Sequence, residues 1–210
     1  MIINMNKELV KYIETTIFPK YADGSGHSLG HIKYVIERSL KFAEQVPEAN
    51  KDICYTVAAY HDLERLLDDD YHEKISAAFV RIDEKLKEFF TDEEIDIIAE
   101  AVEDHRASSK HEPRSIYGKI VSSADRTTSA DEMVLRTVET HSYWYPDLSL
   151  DEILESARKH VLEKYGKDGY ALKKMYFDDP DFVKCCEEIV EIVDNPDKFK
   201  ARYLELKDAK

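Results

Sequence analysis

The sequence has few of the residues that form turns. Its 210 residues include six glycines and six prolines, too few turn formers for an all-β sandwich or barrel. Good helix formers such as Lys, Glu, Leu, Ile and Ala are abundant instead. The chain is 43% hydrophobic and 35% charged, which is too apolar for a disordered chain of this size. We therefore expect a folded, all-α protein.

Cysteine and positive charge are also scarce. Cys54, Cys185 and Cys186 form no CxxC motif, and their odd number favours reduced thiols in the cytoplasm. The chain has 30 Lys and Arg against 44 Asp and Glu, so its formal net charge is −14. This charge disfavours binding to duplex nucleic acid or to an anionic membrane. No apolar run is long enough to cross a membrane, and the N-terminus becomes charged too early for a signal peptide. We expect a cytoplasmic protein.

Helical periodicity is visible along most of the chain and indicates which side chains face inward. In a helix predicted over about residues 52–67, inward positions recur from Cys54 at i, i+3, i+4 and i+7, and the last of them is His61. A capping pattern at Thr91 starts another helix, whose apolar stripe is extended by His105. The periodicity therefore predicts that both histidines are buried.

The C-terminal third shows the same helical pattern. Ser149 caps a helix that ends near Gly166, Pro180 begins another, and Asn195 with Pro196 separates a short last helix.

The chain shows no internal repeat and no linker. We therefore predict a single domain over residues 1–210, with its motif-bearing core at about 26–130 and a C-terminal helical extension at about 146–210. A small separate C-terminal lobe is the alternative.

Four groups that can bind a metal lie on or at the ends of the predicted helices. They are His31, the adjacent pair His61 and Asp62, and Asp125. Imidazole and carboxylate ligands suit divalent ions such as Mn, Fe, Co, Zn or Mg. Two His and two Asp could surround one ion and still leave positions open for water and substrate. Open positions are typical of a catalytic site rather than a structural one.

The order and context of these residues resemble the HD-domain metal-dependent phosphohydrolases, whose motifs follow the order H…HD…D. The segments GHSLGHIKYV, VAAYHDLER and GKIVSSADR look like the three motifs of that family, with His31, the His61–Asp62 pair and Asp125 as the ligands. The resemblance covers roughly residues 26–130. It implies an all-α HD-domain helical bundle with additional C-terminal helices, and a metal-dependent enzyme that cleaves phosphate bonds.

Two further histidines stand where a subset of the family has extra ligands. In that subset the pattern H…HD…H…H…D holds two metals, which share the Asp of the HD pair and a bridging water or hydroxide. The resemblance therefore implies one or two divalent ions per chain. One ion would be held by His31, His61, Asp62 and Asp125, and a second by Asp62, His72 and His105.

One branch of the family is disfavoured. The enzymes that hydrolyse alarmones of the guanosine tetraphosphate type have the motif HDxxED. Here HDLER places Glu64 one position early, with Arg65 next to it. We therefore do not assign the catalytic role of that acidic pair to Glu64.

Phosphate hydrolysis requires positive charge around the transition state, which an acidic chain must supply locally. The stretch from His105 to Arg126 has five Lys and Arg against two acidic residues, a net of +3. Arg106 and Arg126 directly follow two of the ligands, and we expect both to bind a substrate phosphate. Asp62 or a nearby histidine is expected to transfer the proton.

Together these features predict hydrolysis of a phosphoester or pyrophosphate bond in a small phosphorylated molecule. We expect a nucleotide as substrate and a metal-activated hydroxide as nucleophile. Two alternatives use the same ligands. One is a metal-bound module that binds or senses nucleotides without turnover, and the other is a di-iron oxygenase on an HD-type scaffold.

Overall fold

The computed structural model describes residues 5–21, 29–63, 71–166 and 169–209. Within these ranges every regular element is a helix, so the predicted all-α fold class is confirmed. No helix in this part of the chain is both long and apolar enough to span a membrane. The chain divides into two compact units, residues 1–125 and 126–210. The single domain over 1–210 stays a prediction.

The first unit begins with α1, which continues into a π-helical turn and a 3₁₀ turn. A second 3₁₀ turn, Glu84–Glu88, lies between α4 and α5. The helices are α1 (Lys7–Tyr12), α2 (Leu29–Ala43), α3 (Lys51–Tyr60), α4 (His72–Ile82), α5 (Asp92–Glu103) and α6 (Ile116–Ala124).

The core of the first unit joins α2, α3, α5 and α6. Helix α2 packs on α3 and α6, while α5 packs on α3, α4 and α6. Ile32 and Val35 of α2, Ile98 of α5 and Ile120 of α6 are almost completely buried. Each such side chain contributes about 1.5–3 kcal/mol when it leaves water. This packing fixes the ends of α3, α5 and α6, where the candidate ligands lie.

The sequence located the start of α5 correctly but not the end of α3. Thr91 and Glu94 form a capping box, as predicted. Helix α3, in contrast, ends at Tyr60, whereas the sequence predicted an end near residue 67; residues 64–67 lie outside the described residues. His61 follows it with helical dihedral angles, φ −57° and ψ −37°, so periodicity alone does not reveal the end. The burial predicted for His61 is confirmed, since its side chain is 0% exposed.

The second unit contains α7 (Ala130–Trp144), α8 (Leu150–Tyr165), α9 (Tyr170–Lys173), α10 (Pro180–Val193) and α11 (Pro196–Asp208).

The predicted start signals of the second unit are confirmed. Ser149 forms a capping box with Glu152, α10 starts at Pro180, and Asn195 caps α11. The core of this unit has Phe182 among its largest buried side chains. Cys54, Cys185 and Cys186 are buried, and none of the three forms a disulfide bond.

Candidate metal centre

The candidate ligands of the first unit lie at the ends of helices. Helix α3 ends directly before His61 and Asp62, α6 ends directly before Asp125, α5 ends two residues before His105, and α4 begins at His72. The last carbonyl groups of a helix lack partners within that helix and carry about half a negative charge. Three such helix ends and two carboxylates outweigh the positive start of α4 at His72, so this place is electronegative and favours a bound cation.

The carbonyl groups at two of these ends orient the histidines. His61 Nδ1 lies 2.8 Å from the Ala58 carbonyl oxygen, and His105 Nδ1 lies 2.7 Å from that of Val102. In the neutral ring, an Nδ1–H that donates to a carbonyl leaves a lone pair on Nε2, the atom that can bind a metal. Burial lowers the pKa of His61 to about 4, although the neighbouring carboxylates raise it. His61 is therefore neutral at pH 7.

Three buried side chains form what we call the inner group: Asp62, His72 and His105. Asp62 Oδ1 lies 3.1 Å from His72 Nε2 and 3.4 Å from His105 Nε2, and the two Nε2 atoms are 3.3 Å apart. Ligand atoms in tetrahedral geometry around an ion, at bond lengths of 2.0–2.1 Å, are about 3.4 Å apart. The triangle therefore fits a single ion.

The other Asp62 oxygen belongs to the outer group, which we define as His31, His61, Asp62 and Asp125. Asp62 Oδ2 lies 3.8 Å from His31 Nε2 and 3.5 Å from His61 Nε2. Asp125 Oδ1 lies 3.1 Å and 3.9 Å from the same two nitrogens. The side chains of His31 and Asp125 are 13% and 23% exposed, so this group reaches the surface. Burial raises the pKa of Asp125, but its hydrogen bond with His31 and its electrostatic attraction to the His61 and His31 rings lower it below its ordinary value.

The surroundings of His61 Nε2 indicate whether these residues suit a metal. Among the residues that the structure describes, its buried Nε2 has no hydrogen-bond partner. This nitrogen lies between the carboxylates of Asp62 and Asp125, at 3.5 Å and 3.9 Å. An ion with imidazole and carboxylate ligands would satisfy it. The donor set therefore fits a divalent ion among His31, His61 and Asp62 of the outer group, and another in the inner group.

Arg106 lies beside the inner group. Its Nη1 is 3.3 Å from Glu73 Oε2, and the same oxygen is 3.7 Å from His72 Nδ1. The side chain of Arg106 is 35% exposed and that of Glu73 is 14% exposed. Glu73 is not among the residues predicted from the sequence, although its position directly after His72 could have identified it. A carboxylate next to a ligand imidazole can orient that ring.

Arg126 lies in the second unit and has different contacts. Its guanidinium donates to the carbonyl oxygens of Ala171 at 2.7 Å and Lys174 at 2.8 Å, and it lies over the ring of Phe182. These contacts hold the guanidinium within the second unit. They argue against the predicted binding of a substrate phosphate, which stays a prediction.

Two other cations of the predicted basic stretch are paired with acidic side chains. Arg114 donates to the buried carboxylate of Asp104, and Lys119 Nζ lies 3.6 Å from Glu112 Oε2. The net +3 charge is therefore not a free phosphate-binding patch. Glu64 and Arg65 lie outside the described residues.

A comparison with protein-family models matches residues 28–130 to the HD domain. The matched range contains all six residues of the inner and outer groups. HD domains are all-α and are generally metal-dependent hydrolases. Searches of the curated proteins and of the solved structures found no match.

Proposed function

Because this chain belongs to the HD-domain family, we propose that it is a metal-dependent phosphohydrolase acting on a small phosphorylated molecule. The observation that carries the proposal is the position of Asp62. Its two oxygens face different sets of imidazole nitrogens, Oδ1 those of His72 and His105, and Oδ2 those of His31 and His61. A carboxylate in this position supports two neighbouring ions.

The residues of the two groups divide the work of the proposed reaction. A bound divalent ion lowers the pKa of water and neutralises phosphate oxygens. The outer group has the exposed edge, so we propose that the phosphate enters past His31 and Asp125. The inner group is closed to solvent and excludes bulk water. We propose that Asp62 or a nearby histidine transfers the proton in this reaction.

Arg106 is the proposed cationic contact to the substrate. It is partly exposed, and Glu73 holds it next to His72, so its charge can offset that of a phosphate oxygen. The chain's net charge of −14 supports a small phosphorylated substrate and disfavours long polyanions. We propose a nucleotide, following the resemblance of the three motifs to the family.

The test is a substrate panel. Protein loaded separately with Mn, Fe, Co, Zn or Mg is incubated with nucleotides, phosphomonoesters and phosphodiesters, and the release of phosphate and pyrophosphate is measured. We expect turnover of at least one nucleotide. Asp62→Ala should lose metal and turnover together, whereas Asp179→Ala, at a buried helix cap of the second unit, should keep both.

Three outcomes would contradict the proposal. Retained turnover by Asp62→Ala at full metal content would remove Asp62 from the site. Tight nucleotide binding without product release, for every metal, would indicate a sensing module. Oxygen consumption by the iron-loaded protein, without phosphate release, would indicate an oxygenase.

A further inference from the structure

A buried arginine lies in the core next to the outer group. Arg38 is on α2 and is only 7% exposed. Its guanidinium lies 5.5 Å from the ring centre of Tyr34 and 5.3 Å from that of Phe42. These two rings allow the flat cation to be buried, because a guanidinium is weakly hydrated and packs well on aromatic faces.

The polar contacts of Arg38 reach the end of α6. Its Nε donates to the carbonyl oxygen of Ala124 at 3.2 Å, and its Nη2 donates to that of Ser123 at 3.5 Å. Both carbonyl groups belong to the last turn of α6, where partners within the helix are lacking. A cation at this end of a helix also offsets the negative end of the helix dipole. The next residue along the chain is Asp125.

Helix α2 therefore contacts the segment 123–125 in two ways. Arg38 holds the backbone, and His31, seven residues earlier on the same helix, lies 3.1 Å from the Asp125 carboxylate. Residues seven apart lie on the same face of a helix. A spacing of seven from a candidate ligand could have identified Arg38 in the sequence.

We infer that Arg38 is a positioning residue for the outer group: by fixing the last two carbonyl groups of α6, it sets where the Asp125 carboxylate points. This inference rests on the proposed metal-binding role of the outer group. Arg38 binds the backbone before Asp125, not the carboxylate itself, so it acts on an ion only through Asp125. The inner group does not include Asp125 and is independent of it.

The test measures the metal affinity of each group separately. His105→Ala removes an inner ligand, so Co²⁺ titration of this background, followed by visible absorption, reports the outer group. His31→Ala reports the inner group in the same way. Arg38→Met should weaken Co²⁺ binding by the outer group about 10- to 100-fold, the usual effect of losing a residue that supports a metal ligand. Binding by the inner group should stay unchanged.

Two further variants separate positioning from general stability. Arg38→Lys keeps the charge but loses the fork that reaches two carbonyl groups, so its outer-group affinity should lie between those of wild type and Arg38→Met. If Arg38→Met does not fold, Arg38→Lys alone decides the test. Arg81→Met, which breaks an exposed ion pair with Asp96, should bind as wild type at both groups.

The possible failures are distinguishable. Wild-type outer-group affinity in the Arg38 variants, or equal weakening of both groups, would overturn the role of Arg38 and leave the proposed function standing. If the protein with an unsubstituted Arg38 binds Co²⁺ at neither group, both the role of Arg38 and the proposed function are overturned.

Discussion

Substitution of Asp62 by Asn is the sharpest test of the metal centre. The change keeps the size of the side chain but removes the charge that faces four imidazole nitrogens at 3.1, 3.4, 3.5 and 3.8 Å. Because Asp62 belongs to both groups, neither ion keeps its full ligand set. We expect the affinity for divalent metal to fall at least about 100-fold, the upper end of what supporting residues alone contribute.

This loss should appear as a change in thermal stability. An ion at 100 times its Kd stabilises the folded protein by about 2.7 kcal/mol, and after a 100-fold loss of affinity the same concentration gives about 0.4 kcal/mol. For a chain of this size, 1 kcal/mol corresponds to about 2–4 °C in Tm. Metal should therefore raise the Tm of the wild-type protein by about 5–11 °C and that of Asp62→Asn by about 1–2 °C.

Differential scanning fluorimetry of chelator-treated protein, with and without added Mn²⁺ or Co²⁺, measures these shifts. Asp179→Asn is the matched control, because Asp179 is also buried but lies at the N-cap of α10 in the second unit. Asn also caps helices well, so this variant should keep the full metal-induced shift. A full shift in Asp62→Asn, with unchanged metal stoichiometry, would refute the assignment of Asp62.

Three other substitutions probe different parts of the chain. His105→Ala should reduce bound metal from two ions to one, measured by elemental analysis, while His111→Ala, whose side chain is 64% exposed, should bind as wild type. Arg106→Met should lower kcat/KM for the phosphorylated substrate about 10- to 100-fold without changing metal affinity, because it removes one charged hydrogen bond. Phe182→Ala should cost about 3–5 kcal/mol in urea unfolding, because it leaves a cavity in the core of the second unit. Tyr143→Ala, at an 84% exposed position, should stay within about 0.5 kcal/mol of wild type.

Helix starts could be predicted from the sequence because their signals are local. Thr91, Ser149 and Asn195 each accept a hydrogen bond from a backbone N–H two or three residues ahead. Pro180 begins α10 because a missing N–H costs nothing in the first turn. Each of these helix-start signals lies within four or five consecutive residues.

Helix ends and long-range contacts could not be predicted in the same way. His61 keeps helical dihedral angles after α3 has ended, so its position continues the apolar stripe. Arg126 follows Asp125 in the chain, yet its hydrogen-bond partners Ala171 and Lys174 are 45 and 48 residues away. Only the packed structure reveals that this arginine points into the second unit.

The candidate ligands could be predicted from the sequence only in part. Their order in the sequence, through the resemblance to the family, predicts both sets of ligands. The structure places all six side chains together, and their role as ligands remains a prediction for the metal titrations. The resemblance implies that Asp62 belongs to both sets, but only the structure shows that it presents one oxygen to each set.

The unequal exposure of the two groups has a kinetic consequence. An ion in the outer group has an edge open to solvent at His31 and Asp125, whereas all three inner side chains are at most 1% exposed. An inner ion would leave only after the surrounding helices open locally, which would be slower than dissociation at an open edge. Chelation should therefore remove metal in a fast phase and a slow phase. The inner ion would be the one acquired during folding, so its identity would depend on which metals are present while the chain folds.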